Sequence, residues 1–252
     1  MNTDLIILVI DSDSEEVYRI GKEIWRINAY NNGIKIYFLN SNDDISDEIP
    51  YIDGDTINTP KSDNLHRDIN YKTVDAIRYC INEYDFKFIL RTNLSSFFRL
   101  DLLEKYIESL NISNVYAGSI EYFPLNSNEN TVNLLSFCSG SGYIVSRDVA
   151  EKIVNRSTDL AYELNDDVCT GLKLVDIPRT IFQRVDFCDI NKIDLDNFRK
   201  IQKRLDEAES TGTFHFRIKN IFEMGRVELD SWVLLAVLNR TIGWGSTISN
   251  RS

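Results

Sequence analysis

Two adjacent carboxylates, Asp166 and Asp167, follow the run Ser139-Gly140-Ser141-Gly142 by about one helix and a loop, and residues of these types suit a sugar-handling site. A small-residue segment lets backbone approach a ligand, and an aimed carboxylate can take the proton of an attacking hydroxyl. Each feature also has a plainer reading. Asp166-Asp167 opens a helical stretch with Thr170-Gly171 on the next turn, where a carboxylate pair caps exposed amides and complements the helix dipole; one acid can cap while the other points into a cleft. The glycine run reads as a turn before the short apolar strand Tyr143-Ile144-Val145, with a helix beginning near Asp148. A phosphate-binding loop is disfavoured there, because the glycines precede a strand and no Lys-Ser/Thr follows.

Further chemistry sits upstream and downstream. Arg91-Thr92-Asn93-Leu94-Ser95 lies just past a predicted strand end, where a nucleotide-dependent enzyme would hold a pyrophosphate or its metal. Asn93 and Ser95 are poor primary ligands for Mn2+ or Mg2+, which prefer carboxylates, whereas Arg91 could meet a phosphate directly. The alternative is a turn with Asn93 capping the next helix. In Phe214 to Lys219, strand alternation puts His215, Arg217 and Lys219 on one face, a polar and cationic surface that suits a diphosphate or simply faces solvent. Val9-Ile10-Asp11-Ser12 opens like a phospho-receiver domain, but the third strand ends in Arg91-Thr92-Asn93 with no phosphoacceptor aspartate.

These groups need a scaffold, and the N-terminal half supplies an alternating pattern. Leu5 to Ile10 is an all-apolar strand; Ser14 caps a helix with Val17, Ile20, Ile24 and Ile27 at helical spacing; Ile34 to Leu39 is a second strand. A helix from about Ile69 to Tyr84 leads to a third strand, Phe86 to Leu90. The second half is more mixed, with helices at 99–109, 148–155, from 166, at 194–209 and at 227–238, and strands at 115–121, 184–186 and 214–218. The alternation in the first half predicts a parallel-sheet α/β domain, in which ligands bind beyond the carboxyl ends of the strands, and with the second half included a single mixed α/β domain is the simplest reading. Asp11-Ser12 and Arg91 to Ser95 both fall at such ends.

Composition narrows the function classes. With 28 Lys+Arg against 39 Asp+Glu and a net charge of -11, no nucleic-acid partner is expected, since duplex binding needs a basic face. Leu5 to Ile10 is too short and wrongly flanked for a signal peptide, and no apolar run approaches the ~18 residues of a membrane span, so a soluble, cytoplasmic protein is expected. The four cysteines, at 80, 138, 169 and 188, have no metal-site spacing and are expected as free thiols.

Taken together and in order, five blocks resemble the fringe and β1,3-galactosyltransferase type of GT-A glycosyltransferase. Glu23-Ile24-Trp25-Arg26 is similar to that family's basic-aromatic first helix, and Asn70-Tyr71-Lys72-Thr73 to its Lys-Thr helix start. Tyr84 to Thr92 resembles the strand leading to its Asp-x-Asp motif, Cys138 to Asp148 its Ser-Gly-Gly-Gly-Tyr segment, and Asp166 to Gly171 its acidic base motif. The likeness runs from about Leu5 to Lys219.

The resemblance implies a single-domain, Rossmann-like GT-A mixed sheet with flanking helices, in which residues 1–98 form the nucleotide-binding half and 99–252 the acceptor and catalytic half. It implies a nucleotide-sugar donor, a UDP-sugar, and inverting transfer to a carbohydrate hydroxyl of a glycan acceptor. Asp167 matches the base and Asp166 stands beside it as cap or orienter. Asp11, Ser12, Lys72, Arg91, Asn93, Ser95, Ser139, Gly140, Ser141, Gly142, His215, Arg217 and Lys219 then surround the donor, with His215 and Ser95 at the family's metal positions. Where the family carries three acids, this chain has Asn93-Leu94-Ser95. Either cations such as Lys72, Arg91, Arg217 or Lys219 carry the diphosphate without Mn2+ or Mg2+, or the chain is a catalytically degenerate nucleotide-sugar or glycan-binding module. Viral and microbial members of this kind decorate their own surface or capsid glycans.

Overall fold

The computed structural model describes residues 2–11, 16–41, 50–59, 67–128, 131–157, 164–220 and 225–242. Its centre is β1 (Asn2–Ile10), whose residues Leu5 to Val9 are buried from both sides. The strand pairs in parallel with β2 (Lys35–Ser41) and with β5 (Asp85–Asn93). A continuous apolar run is what a strand covered on two faces requires. Short strands β3 (Tyr51–Asp53) and β4 (Thr56–Thr59) extend the β2 edge. On the other side β8 (Thr131–Ser146) lies antiparallel to β5 and to β7 (Tyr116–Asn128), and β9 (Arg179–Ile181) closes that edge. The resulting order is β3-β4-β2-β1-β5-β8-β7-β9, so one sheet runs through both halves of the chain.

Side chains alternate along the central strands and divide the core. Ile6, Leu8 and Ile89 pack under α2 (Arg67–Glu83) and α4 (Arg147–Asn155) with Val74, Ile77, Val149 and Ile153. Ile7, Val9 and Leu90 pack on the opposite face with Trp25 of α1 (Glu16–Asn32) and with Leu103 and Ile107 of α3 (Leu100–Glu108). Each such side chain contributes about 1.5–3 kcal/mol when fully buried.

A three-stranded sheet in the order β10-β11-β6 stands beside the first, formed by β6 (Ser96–Phe98), β10 (Arg184–Asp186) and β11 (His215–Arg217). Helices α6 (Leu195–Thr211) and α7 (Arg226–Ile242) support it through Ile201, Leu205, Val233 and Val237, which pack against Phe97 and Phe216. Asp194 caps α6 by accepting from the Asn197 amide at 2.9 Å, and Gly212 ends it at φ 67°, where a glycine avoids the left-handed penalty.

The buried face of α1 differs from the isoleucine stripe expected from sequence. Val17, Gly21, Trp25, Asn28 and Ala29 are buried, whereas Ile27 is 40% exposed. Polar anchors set this rotation: Trp25 Nε1 donates to the Ser96 carbonyl and Asn28 Nδ2 to the Phe98 carbonyl, both at 3.0 Å. Helix and β6 are therefore tied edge to edge, and Gly21 permits the approach, since a Cβ there would lie 3.1 Å from the Leu94 carbonyl oxygen.

A second correction concerns Ser139 to Gly142. These residues are not a turn before a strand but an irregularity inside the 16-residue β8. Ile120 pairs with Cys138 and Gly118 with Tyr143, so β7 spends one residue, Ser119, where β8 spends four. Bulges of this kind re-aim groups at a sheet surface. On its other side the bulge abuts the end of β5, where Thr92 pairs with Gly142 and Thr92 Oγ1 donates to the Ser141 carbonyl at 2.7 Å.

Candidate active site

The β8 bulge forms the floor of a cleft of about 660 Å³ at the carboxyl end of β5. Of the residues singled out from sequence, the cleft is lined by Arg91, Asn93, Ser95, Ser139, Gly140, Ser141, Asp166, Asp167, Arg217 and Lys219. Asp11, Lys72, Gly142 and His215 lie behind its walls, and Ser12 falls outside the described residues.

One wall carries the acids. Helix α5 (Asp166–Lys173) begins at them and packs onto β8 through Gly171, where an added Cβ would lie 2.5 Å from Phe137 Cβ. Asp167 Oδ2 accepts the Gly140 amide at 2.8 Å, and Oδ1 accepts the Val168 amide at 2.9 Å. Asp166 pairs with Arg91, and the Arg91 guanidinium also donates to the Gly140 carbonyl. Asn93 Nδ2 donates to the same carbonyl at 3.0 Å. The bulge peptide at Gly140 is thus held from both ends, and a side chain there would stand 3.0 Å from Asp167 Oδ2 and 3.1 Å from Arg91 Nη1.

Electrostatics separate the two carboxylates. Burial, and next the neighbouring charge of Asp166, raise the Asp167 pKa above the ordinary aspartate value; its amide bonds and Arg91 offset this only in part. Burial opposes the charge of Arg91, yet Asp166, Tyr143 and Asp167 overcome it and leave the guanidinium pKa raised. Arg91 also lies 5.7 Å over the Tyr143 ring. Its two terminal nitrogens are spent on Asp166 and the Gly140 carbonyl, so the residue works as a brace inside the protein.

The facing wall is cationic. Arg217 Nη1 donates to Asn93 Oδ1 at 2.6 Å and to Ser96 Oγ at 3.2 Å. Arg184, in a segment read from sequence only as a strand, donates to Ser139 Oγ at 3.0 Å and Ser141 Oγ at 2.7 Å and pairs with Asp186 at 2.7 Å. Lys219 is exposed at the rim, and Tyr18, Glu121 and Cys188 complete this side. Nothing local in Arg184-Val185-Asp186 flags it; the signal is the serine pair, whose two hydroxyls on one bulge can accept one guanidinium.

His215 departs from the cationic face expected of its strand. It is fully buried, stacked on Phe98 at 4.2 Å and edge-on to Phe182. Burial, then Arg184 and Arg217, hold its pKa well below the usual histidine value, so the ring is neutral. The close stack of Phe98 also explains Gly142, where a Cβ would collide with the Phe98 ring edge. Asp11 is buried and paired with Lys22, and Lys72 Nζ lies 3.5 Å from the Asp11 carbonyl oxygen. No helix among the described residues is long and apolar enough to cross a membrane.

No protein-family model and no curated protein matches the sequence. Among solved structures, the chain is similar to a glycosyltransferase involved in the glycosylation of the major capsid of PBCV-1, with a TM-score of 0.51 and 12% identity over 92% of this chain and 100% of that one. It is also similar to the catalytic domain of Drosophila β1,4-galactosyltransferase 7 in complex with xylobiose, with a TM-score of 0.40, 12% identity and coverage of 71% and 65%. A third likeness, to the inositol-1-phosphate CTP transferase from T. maritima, has a TM-score of 0.43, 10% identity and coverage of 91% and 95%. What the chain shares with the PBCV-1 glycosyltransferase is its fold, the single-domain, GT-A-like mixed α/β arrangement.

Proposed function

We propose that this chain is a glycosyltransferase of the fringe and β1,3-galactosyltransferase type that moves a sugar, with inversion, from a UDP-sugar to a carbohydrate hydroxyl. The observation that carries this reading is the division of one cleft into a carboxylate wall and a cationic wall, both anchored on the β8 bulge. Asp167 takes the proton of the acceptor hydroxyl as its oxygen forms the new bond to the anomeric carbon. The bond from that carbon to the phosphate oxygen breaks, and the electron pair leaves on the nucleoside diphosphate. A carboxylate whose pKa is raised by burial and by the neighbouring Asp166 is a stronger base than a solvated aspartate. Two amide donors fix its orientation, which keeps the base from swinging away from the attacking oxygen.

Roles for the remaining residues follow from the same contacts. Asp166 and Arg91 brace the base and the Gly140 peptide, while Arg184, Arg217 and Lys219 face the phosphates, where developing charge on the leaving group is stabilised by fixed cations. The test is hydrolysis of, or transfer from, a panel of UDP-, GDP- and dTDP-sugars. Asp167→Asn is expected to lower turnover by roughly 10²–10⁴-fold with UDP affinity kept within a few-fold. Wild-type turnover in that variant would remove Asp167 from the chemistry. Donor binding without hydrolysis or transfer by the unaltered chain would favour the degenerate binding module.

A further inference from the structure

We infer that the cleft holds the diphosphate of its donor without a divalent metal, with the Arg217 guanidinium standing on Asn93 as the fixed cation. This deepens the sugar-nucleotide reading and rests on it. The related glycosyltransferase type implies Mn2+ or Mg2+ bound through acids after the third strand, and the donor groups present here do not fit such an ion. Asn93 Oδ1 is a neutral amide oxygen that accepts from Arg217 Nη1 at 2.6 Å, the Ser95 amide at 3.1 Å and Ser96 Oγ at 3.3 Å. Its orientation follows from the amide nitrogen, which donates to the Gly140 carbonyl. The acids of the opposite wall are engaged too, Asp166 by Arg91 and Asp167 by two backbone amides. His215 is stacked between aromatic rings away from the cleft lining. Glu121 and Asp186, the other acids of the lining, pair with Arg184 at 3.5 and 2.7 Å, and among the described residues no three His, Cys, Asp or Glu side chains gather into one cluster.

What the cleft offers in place of a metal is positive charge without its usual partner. Arg217 donates only to neutral oxygens, and neither it nor Lys219 is in an ion pair with a carboxylate among the described residues; Arg184 is paired with Asp186. Burial, and then the nearby Arg184, lower the Arg217 pKa, while Cys188, Tyr18 and Asp186 offset this in part. A guanidinium remains charged throughout the accessible pH range and presents planar donors that match phosphate oxygens. Two of these donor contacts tie Arg217 to Asn93 and Ser96, so it is preorganised, and a diphosphate neutralises the surplus charge.

Calorimetric titration of UDP into the full chain, once in EDTA and once with Mn2+, tests this inference. Binding in EDTA is expected to match binding with Mn2+ within about twofold, at the precision where a tenfold change corresponds to 1.4 kcal/mol. Arg217→Gln is expected to weaken UDP binding by about tenfold or more and Lys219→Gln, an exposed change that leaves the fold intact, by about threefold. Binding that appears only with Mn2+, or Lys219→Gln and a folded Arg217→Gln that both bind UDP like the unaltered chain, would overturn the metal-free cation role and leave the glycosyltransferase reading standing. Absence of binding by UDP, GDP and dTDP in both conditions would instead defeat the sugar-nucleotide reading, and this inference with it.

Discussion

The two walls of the cleft are built on different physical terms. On the acid side both carboxylates are engaged: Asp166 has Arg91, and Asp167 has two amides, one from the helix and one from the bulge. Across the cleft Arg217 rests on an asparagine and a serine, and Lys219 has no carboxylate among the described residues. Internal satisfaction gives the first wall a fixed shape, as a base requires. The second wall leaves Arg217 and Lys219 without a carboxylate among the described residues, and the proposed diphosphate would supply that counter-charge.

This contrast can be broken most directly at Gly140, the peptide on which the acid wall depends. Gly140→Ala places a Cβ against Asp167 and Arg91, and we expect turnover to fall by about 10²-fold or more, as a shift of about 1 Å in a catalytic group can cause. UDP affinity should fall less than turnover, because Arg217 comes from β11 and is held by Ser96 Oγ as well as by Asn93. If kinetics and calorimetry show turnover and affinity collapsing together, the walls are not separable.

A smaller effect sharpens the electrostatic side. Because Asp166 raises the Asp167 pKa and Arg91 lowers it, Asp166→Asn removes the first influence and frees the second. Both changes favour the ionised base, so the acid limb of the kcat/KM profile should move to lower pH. An acid limb that moves up or stays fixed would show that another group titrates there.

The smallest expected effect belongs to the base of the cationic wall. His215 has a depressed pKa when folded and an ordinary one, near 6.5, when unfolded. The unfolded chain therefore binds the extra proton below about pH 6.5, and His215 lowers folding stability as the pH falls from there, by up to about 1.4 kcal/mol per pH unit. Replacing it in His215→Phe, which keeps the aromatic stack, should flatten that part of a denaturation series between pH 7 and 5. An unchanged slope would mean that the ring takes up a proton in the folded state.

How much of this was legible in the sequence follows the same division. The strand and helix order could be read because Leu5 to Val9 and the helical stripes of α2 and α7 carry their periodicity locally. Adjacent Asp166 and Asp167 announce a helix start and a candidate acid site in a single glance, and Asp167 does line the cleft. Small residues at 139–142 announced a close approach but not its form. A turn and a four-against-one bulge have the same composition, and only the partner strands distinguish them. The buried face of α1 departs from its isoleucine stripe because two hydrogen bonds to β6, from Trp25 and Asn28, outweigh the burial of Ile27. Nothing in its own segment marks Arg184, since its significance lies in hydroxyls more than forty residues upstream. Nor can a single sequence show whether an arginine faces solvent or a neighbouring carboxylate, which is why Arg91 read as a phosphate partner from its strand-end position.

The pairing of β11 with β6 also bears on how the molecule comes together. Asp167 meets Gly140 across 27 residues of chain, whereas Arg217 meets Asn93 across 124. Longer loops close at greater entropic cost, and contacts across them form late in folding. A nascent chain emerging as far as α5 already contains the carboxylates, the bulge and every strand of the large sheet except β9, but it has no Arg184, Arg217 or Lys219. The cationic wall is thus the last part of the cleft to be assembled, and any partly folded form lacking the β6–β11 pairing would possess the acid wall, with Arg91, without the cations that face it.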